Sequence, residues 1–197
     1  MDKTYRINEV FYSLQGEGRW AGRAAIFVRF SGCNLRCPFC DTDFKHYEEY
    51  SAQQLIGKIK EVAPECRFIV LTGGEPTLQA DNQLTRALSN EGYYIAIETN
   101  GTRRIPAHVD WVTCSPKYGY LKEAKLVLKE ADEVKVVFDG EHEVSDYGIL
   151  ARYFYVQPCD VGDKNKNAVI LKETVDFVKK YPEWQLSLQQ QKIINVR

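Results

Sequence analysis

The clearest pattern in the chain is the apolar run at 24–30, which alternates between two faces. Successive side chains of a strand point to opposite sides, so a period of two predicts a β-strand here. The faces are Ile26, Val28 and Phe30 on one side and Ala25, Phe27 and Arg29 on the other. Arg29 therefore sits among small and apolar neighbours. A guanidinium so placed is suited to grip a carboxylate with two hydrogen bonds, although an ordinary salt bridge is the alternative.

Similar apolar runs predict further strands, and amphipathic runs predict helices. The other predicted strands are 5–11, 68–71, 93–98, 111–114, 133–138, 152–156 and 185–188. The predicted helices are 51–62, 80–91 and 168–180, with weaker helical patterns at 120–131 and 141–150. Ser51 and Gln54 form a capping-box pattern at the start of the first helix. Leu171, Val175 and Val178 are predicted to form the inner face of the third.

Strands and helices alternate along the chain, which predicts a parallel sheet with crossover helices. A complete eight-unit barrel requires about 250 residues, whereas this chain has 197. The predicted fold class is therefore α/β, an abbreviated, partial (β/α) barrel of about six parallel strands with about three core helices. We expect a single domain over residues 1–197, with ligand-bearing loops at the carboxyl ends of the strands.

Composition and charge exclude several classes of protein. The formal net charge is −1, so no bulk attraction to nucleic acid or to an anionic membrane surface is expected. No apolar run of about 18 residues occurs, so we expect no membrane span. The first residues lack an apolar targeting core. Together these features predict a reducing, cytoplasmic location.

A loop with three cysteines carries the strongest chemical signal. Cys33, Cys37 and Cys40 follow a Cys-x3-Cys-x2-Cys spacing in a segment that also contains glycine and proline, so the thiols must curl around a common centre. A closed structural zinc site needs four ligands, and His46 is near enough in sequence to be the fourth. A cubane iron–sulfur cluster held by three cysteines instead leaves one iron open. A disulfide framework is disfavoured because the other cysteines are scattered singly.

Polar residues gather where predicted strands end. Gln15 and Glu17 offer an amide and a carboxylate in a glycine-rich loop, which could pair with a flat heterocycle or form a plain polar hairpin. The polar segments after later strands are 72–76, 98–101, 115–117 and 157–160. Such residues would face a barrel mouth, although a simple turn accounts equally well for 98–101 and better for 115–117. The oxygens at 41–43 are hard ligands that suit magnesium, or make a turn or helix cap.

The cysteine spacing, with Phe39 just before the third cysteine, resembles the cluster loop of radical S-adenosylmethionine (SAM) enzymes. The motifs at 14–18 (LQGEG), 29–35 (RFSGCNL), 40–42 (CDT) and 72–76 (TGGEP) together resemble the 7-carboxy-7-deazaguanine synthase family. The resemblance implies a shortened barrel of the radical SAM type and a homodimer, with a [4Fe-4S] cluster, SAM and Mg2+ as cofactors. It also implies conversion of 6-carboxy-5,6,7,8-tetrahydropterin to 7-carboxy-7-deazaguanine with loss of ammonia, on the path to queuosine. The implied electron donor is a protein such as flavodoxin or ferredoxin.

The same resemblance implies roles for individual residues. Cys33, Cys37 and Cys40 would hold the cluster, and Thr42 would bind the magnesium ion. The implied SAM contacts are Phe39, Cys40, Asp41, Gly74, Ser115, Pro116, Lys117, Gln157, Pro158, Cys159 and Asp160. The implied substrate contacts are Leu14, Gln15, Gly16, Arg29, Thr72 and Arg197. The chain departs from the family pattern at Gln191, where relatives commonly carry histidine, so that contact is not carried over.

Two alternative functions remain open on the sequence. An activase that places a glycyl radical on a partner protein shares the size and cysteine spacing, but it would not bind a carboxypterin. A small zinc-binding interaction module would be colourless and would contain zinc rather than iron.

Overall fold

A nine-stranded sheet organises the part of the chain that the computed structural model describes, residues 3–40, 42 and 46–196. The strands are β1 (Thr4–Leu14), β2 (Ala24–Phe30), β3 (Glu48–Ser51), β4 (Phe68–Gly73), β5 (Tyr94–Thr99), β6 (Trp111–Cys114), β7 (Glu133–Phe138), β8 (Tyr153–Pro158) and β9 (Trp184–Leu186). The helices are α1 (Ala52–Val62), α2 (Asn82–Asn90), α3 (Lys164–Lys180) and α4 (Gln190–Ile193), with short 3-10 turns at Gly18–Trp20 and Pro76–Leu78.

The strand order of the sheet is β3-β1-β2-β4-β5-β6-β7-β8-β9. From β2 to β9 every neighbouring pair is parallel, which confirms the predicted parallel sheet. β1 is antiparallel to both β2 and β3, so the sheet has an antiparallel extension that the sequence analysis did not predict. Because β3 and β9 stand at opposite ends of the order, the described strands form an open, partial barrel.

The two faces of β2 show how the sheet is buried. Ile26, Val28 and Phe30 are fully buried in a cluster that also contains apolar residues of α1 and α2. Ala25 and Phe27 belong to a second cluster inside the barrel. The predicted alternation is therefore confirmed, and β2 separates the helical layer from the barrel interior.

Aromatic side chains close the end of the barrel at which the strands begin. Phe68, Tyr94 and Trp111 are the first residues of β4, β5 and β6. Trp20 packs edge-on against each of them, with ring centroids 5.6, 5.9 and 5.1 Å apart. Each such pair adds about 0.5–1.5 kcal/mol beyond the burial of its area. This packing fills the amino ends of the strands and leaves their carboxyl ends to polar residues.

The capping box predicted for α1 is present. The Ser51 hydroxyl accepts a hydrogen bond from the Gln54 backbone N–H at 3.3 Å, and the Gln54 side chain accepts one from the Ser51 N–H at 2.8 Å. Leu55 and Ile59 follow on the buried face of the helix. Local sequence therefore sets both the start of α1 and the face that it turns to the sheet.

The two weaker helix predictions, at 120–131 and 141–150, are wrong. Both segments are turns and extended chain, joined by an isolated bridge between Glu130 and Leu150. In the first segment, the Val127 and Leu128 N–H groups both donate to the Gly101 carbonyl. These long-range bonds satisfy backbone groups that a helix would otherwise have paired locally.

Helix α3 begins earlier than predicted, and its inner face is only partly as predicted, since Val178 packs against the core but Leu171 does not. The Asp163 side chain caps it by accepting from two backbone N–H groups. Ile170 and Thr174 are the buried positions, whereas the predicted Leu171 is 40% exposed. Thr174 tolerates burial because its hydroxyl donates to the Ile170 carbonyl at 2.7 Å. None of the helices in the described ranges has the length and apolar character needed to cross a membrane.

Candidate active site

A cavity of about 490 Å³ opens at the carboxyl ends of the parallel strands. It brings together most of the residues with a predicted role, namely Leu14, Gln15, Gly16, Arg29, Cys33, Cys37, Phe39, Cys40, Thr42, Thr72, Gly74, Ser115, Lys117, Gln157, Pro158, Cys159 and Asp160. Pro116 is buried next to this set but does not line the cavity. Asp41 and Arg197 lie outside the described residues.

All three thiols of the cysteine loop line this cavity. The Cys40 N–H donates to the Cys37 carbonyl at 3.1 Å and turns the loop, while Cys33 Sγ accepts from the Leu35 N–H at 3.4 Å. Burial raises the pKa of Cys33, and the charges of Glu75 and Cys40 raise it further. Burial also raises the pKa of Cys37, to which Cys33 and Cys40 contribute. The three thiols thus share one cavity, and cluster binding there must displace their protons.

The zinc alternative requires several donors that converge on one ion. Over residues 3–40, 42 and 46–196, no three His, Cys, Asp or Glu side chains do so. His46, the suggested fourth ligand, is exposed, and its carbonyl accepts from the Asn8 side chain at 2.7 Å. In a cubane, by contrast, each cysteine binds a different iron. The arrangement of thiols around one cavity therefore fits a cluster better than a closed zinc cage.

Glycine at position 74 is required by the close approach of β4 to the cysteine loop. The Gly74 N–H donates to the Phe30 carbonyl at 3.0 Å, and the Glu75 N–H donates to the Gly32 carbonyl at 2.9 Å. A Cβ atom on Gly74 would lie 2.0 Å from the Gly32 oxygen and 3.1 Å from the Cys33 nitrogen. Gly74 thus positions the cluster loop in addition to lining the cavity.

The carboxylate of Glu75 is buried and accepts several hydrogen bonds, a role that the sequence analysis did not identify. Its Oε1 accepts from the Thr77 N–H, the Thr77 hydroxyl and the Thr99 hydroxyl at 3.0, 2.5 and 2.8 Å. Its Oε2 accepts from the Asn100 N–H at 2.7 Å. The Asn100 side chain in turn donates to Asn34 in the cysteine loop. Glu75 therefore ties the ends of β4 and β5 to the cluster loop.

We expect Glu75→Gln to destabilise the protein by about 1–3 kcal/mol, because the new amide turns a donor toward an N–H or hydroxyl that needs an acceptor. The measurement is the urea midpoint under anaerobic conditions. Glu65→Gln is the matched control, because Glu65 is exposed and its change should leave the midpoint within error. Equal midpoints for the two variants would contradict the role given to Glu75.

Polar residues from three strands form a hydrogen-bonded wall of the cavity. Gln15 Nε2 donates to Glu98 Oε1 at 3.0 Å, and the Thr72 hydroxyl donates to Glu98 Oε2 at 3.1 Å. Lys135, from β7, pairs with the Glu17 carboxylate and lies 3.8 Å from Glu98 Oε1. The sequence analysis left the role of Glu17 open and missed Lys135, although a lone lysine in the apolar run 133–138 was a visible signal.

Arg29 reaches the cavity from β2, on the face predicted by the alternation. Its Nε donates to Glu9 Oε1 at 2.8 Å, and its guanidinium lies 5.7 Å from the centre of the Phe11 ring. Arg29 is therefore salt-bridged, as the predicted alternative has it, and it is also part of the cavity wall. An ion pair through Nε orients the terminal N–H groups of the guanidinium.

The carboxyl-terminal segment also reaches the cavity. The Gln190 N–H donates to the Gly16 carbonyl at 3.1 Å, and the side-chain amides of Gln189 and Gln191 donate to Glu17 Oε1 at 3.1 and 3.2 Å. A Cβ atom on Gly16 would lie 1.7 Å from the movable Gln191 Oε1 and 2.9 Å from the Gln191 backbone nitrogen, so the approach of this backbone favours glycine. Gln191 thus contacts Glu17 at the position where the chain departs from the family pattern.

Ser115, Lys117 and residues 157–160 line another part of the cavity. Lys117 Nζ donates to the Ser115 carbonyl at 2.9 Å and to its hydroxyl at 2.5 Å, and burial lowers the pKa of Lys117. Gln157 accepts from the Ser187 hydroxyl at 3.0 Å. These side chains carry polar groups into the cavity, where a small polar cofactor can be bound.

Comparison with known proteins agrees with this geometry. A family model of the Radical SAM superfamily matches residues 27–128. A 7-carboxy-7-deazaguanine synthase of Bacteroides thetaiotaomicron is 46% identical over 193 residues, covering 98% of each chain. The enzyme of the same name from Burkholderia multivorans is 40% identical over 215 residues, covering 98% of this chain and 99% of the relative. The crystal structure of QueE from Escherichia coli matches with a TM-score of 0.75 and 27% identity, over 95% of this chain and 94% of that one.

The partial barrel and its three-cysteine loop define a radical SAM enzyme. Its cofactors are accordingly SAM and a [4Fe-4S] cluster, and it requires a reductant. Within this superfamily, the chain belongs to the 7-carboxy-7-deazaguanine synthase family.

Proposed function

We propose that the chain converts 6-carboxy-5,6,7,8-tetrahydropterin to 7-carboxy-7-deazaguanine with loss of ammonia, in the biosynthesis of 7-deazapurines such as queuosine. The observation that carries this proposal is the identity to synthases of that name over nearly the whole of both chains. The cavity supports it, because it is lined both by the cluster cysteines and by a wall of amide, hydroxyl and carboxylate groups.

Different residues of the chain would bind the cluster and SAM. Cys33, Cys37 and Cys40 would hold the cluster, which together with SAM supplies radical hydrogen abstraction when bound. The SAM contacts would be Phe39, Cys40, Asp41, Gly74, Ser115, Pro116, Lys117, Gln157, Pro158, Cys159 and Asp160. The walls of the cavity exclude water from this chemistry.

The substrate would be held by its carboxylate and by its ring. Arg29 would bind the carboxylate, and Thr42 would contribute to a Mg2+ site that bridges to it; both residues line the cavity. Gln15 and Thr72 would meet the ring, with Leu14, Gly16 and Arg197 completing the substrate contacts. We further propose a single domain over residues 1–197, a homodimer, and flavodoxin or ferredoxin as the reductant.

The test is anaerobic reconstitution with iron and sulfide, followed by turnover with SAM, the carboxypterin, Mg2+ and a chemical reductant. We expect 7-carboxy-7-deazaguanine and ammonia, and a lower rate when Mg2+ is chelated. Cleavage of SAM without a pterin product would contradict the substrate assignment and would indicate a different radical SAM activity. The comparisons give no support to the glycyl-radical activase or to the zinc module.

A further inference from the structure

Lys135 is a buried cation to which the proposed reaction gives no role. Its side chain is only 6% exposed, and its ammonium pairs with Glu17 and lies 3.8 Å from Glu98 Oε1. The other charged groups that face it are Glu133, two residues earlier on β7, and Lys117. Glu17 and Lys135 are separated by 118 residues in the chain, so only the fold brings this pair together.

We propose that Lys135 is a positioning residue for substrate binding, which holds the Glu17 carboxylate beside that of Glu98 so that both accept hydrogen bonds from N–H groups of the substrate ring. The inference rests on the proposed function, because it takes the carboxypterin as the ligand. Lys135 is needed because two carboxylates that share one wall repel each other unless a cation lies between them.

The hydrogen bonds leave room for a ligand at this wall. Glu17 accepts from Gln189, Gln191 and Lys135, and Glu98 accepts from Gln15 and Thr72. A carboxylate offers about four acceptor positions, so each retains capacity for a further donor. Two carboxylates against one ammonium also leave net negative charge, which suits the N–H-rich edge of an aminopyrimidine ring.

The ion pair keeps Glu17 in its accepting form. Burial alone would raise the pKa of Glu17, but the charge of Lys135 and the hydrogen bonds from Lys135 and two glutamine amides together hold that pKa well below its ordinary value. Burial likewise opposes the charge of Lys135, yet Glu17 and Glu98 raise its pKa above the ordinary value. A protonated Glu17 would present an O–H donor to the ring and lose an acceptor.

The test compares K135M with K172M, a change at an exposed lysine of α3, in reconstituted holoenzyme. We expect K135M to raise the KM for the carboxypterin about tenfold to a hundredfold, the worth of one charge-assisted hydrogen bond. The kcat and the iron content should stay close to those of the wild type, because uniform binding energy is lost. K172M should match the wild type throughout.

The pH dependence separates positioning from a purely structural role. Between about pH 8 and pH 6 the titration of Glu17 should not change the wild-type KM, because the Glu17 pKa lies far below this range. In K135M burial is no longer opposed by the ammonium, so the Glu17 pKa rises and the KM should increase as the pH falls.

The double variant E17Q/K135M keeps the test decisive if K135M does not fold, because it buries neither charge of the pair. Its KM should equal that of E17Q, since Lys135 acts through Glu17. An unchanged KM in K135M, or a double variant about tenfold worse than E17Q, would overturn the inference. Failure of the wild type to turn over the pterin would instead overturn the proposed function.

Discussion

Replacing Cys37 by alanine is expected to abolish cluster binding and, with it, all turnover of SAM and the pterin. The physical reason is that three thiolates line one cavity, and two are too few to anchor the cluster when the remaining iron must stay open for SAM. Mutation of a residue that merely supports a metal ligand costs about 10–100-fold, so loss of a ligand should exceed that range. The measurements are iron and sulfide content, the visible absorption of the reconstituted protein, and product formation.

Cys66→Ala is the matched control for this change. Cys66 is half-buried and packs against apolar residues, with its thiol near the carbonyls of Ala24 and Phe68. It does not line the cavity. This variant should keep the wild-type iron content and activity. Full turnover in Cys37→Ala would overturn the cluster assignment, whatever the behaviour of Cys66→Ala.

Gly74→Ala is expected to have the second largest effect, because the added methyl group meets backbone and not a movable side chain. Its Cβ would lie 2.0 Å from the Gly32 oxygen and 2.5 Å from the Gly32 carbon. The cysteine loop must therefore move, which breaks the hydrogen bond from the Glu75 N–H to the Gly32 carbonyl and costs about 1–3 kcal/mol of stability. We expect a lower urea midpoint, a reduced iron content and a weaker affinity for SAM, measured by calorimetry on the reconstituted protein.

Gly57→Ala provides the control for the chemical change itself. Gly57 lies in α1, and a Cβ atom there would have no heavy atom within 4 Å. Alanine is favoured over glycine in a helix interior by up to about 1 kcal/mol, so this variant should be slightly more stable than the wild type. A Gly74→Ala protein with wild-type iron content and SAM affinity would show that the cysteine loop does not depend on this contact.

Several features could be predicted because their cause is local. The period-two pattern of β2 and the capping box of α1 depend on residues a few positions apart, and the structure confirms both. The helix predictions at 120–131 and 141–150 failed because the polar backbone there is satisfied by distant partners such as the Gly101 carbonyl. The inner face of α3 was misjudged at Leu171, because the apolar pattern alone did not reveal that the polar Thr174 is buried with its hydroxyl bonded to the Ile170 carbonyl.

The candidate site likewise has features that the sequence predicts and features that only the folded chain creates. The sequence by itself determined the cysteine trio and the parallel sheet, because spacing and periodicity are properties of the linear order of residues, and its motifs carried the resemblance to the family. Only the tertiary structure decided that Glu75 joins two strand ends to the cysteine loop, that Gly74 is a contact between segments, and that Lys135 pairs with Glu17. Each of these depends on groups far apart in the chain, and their energies come from burial and charge that exist only once the partial barrel has folded.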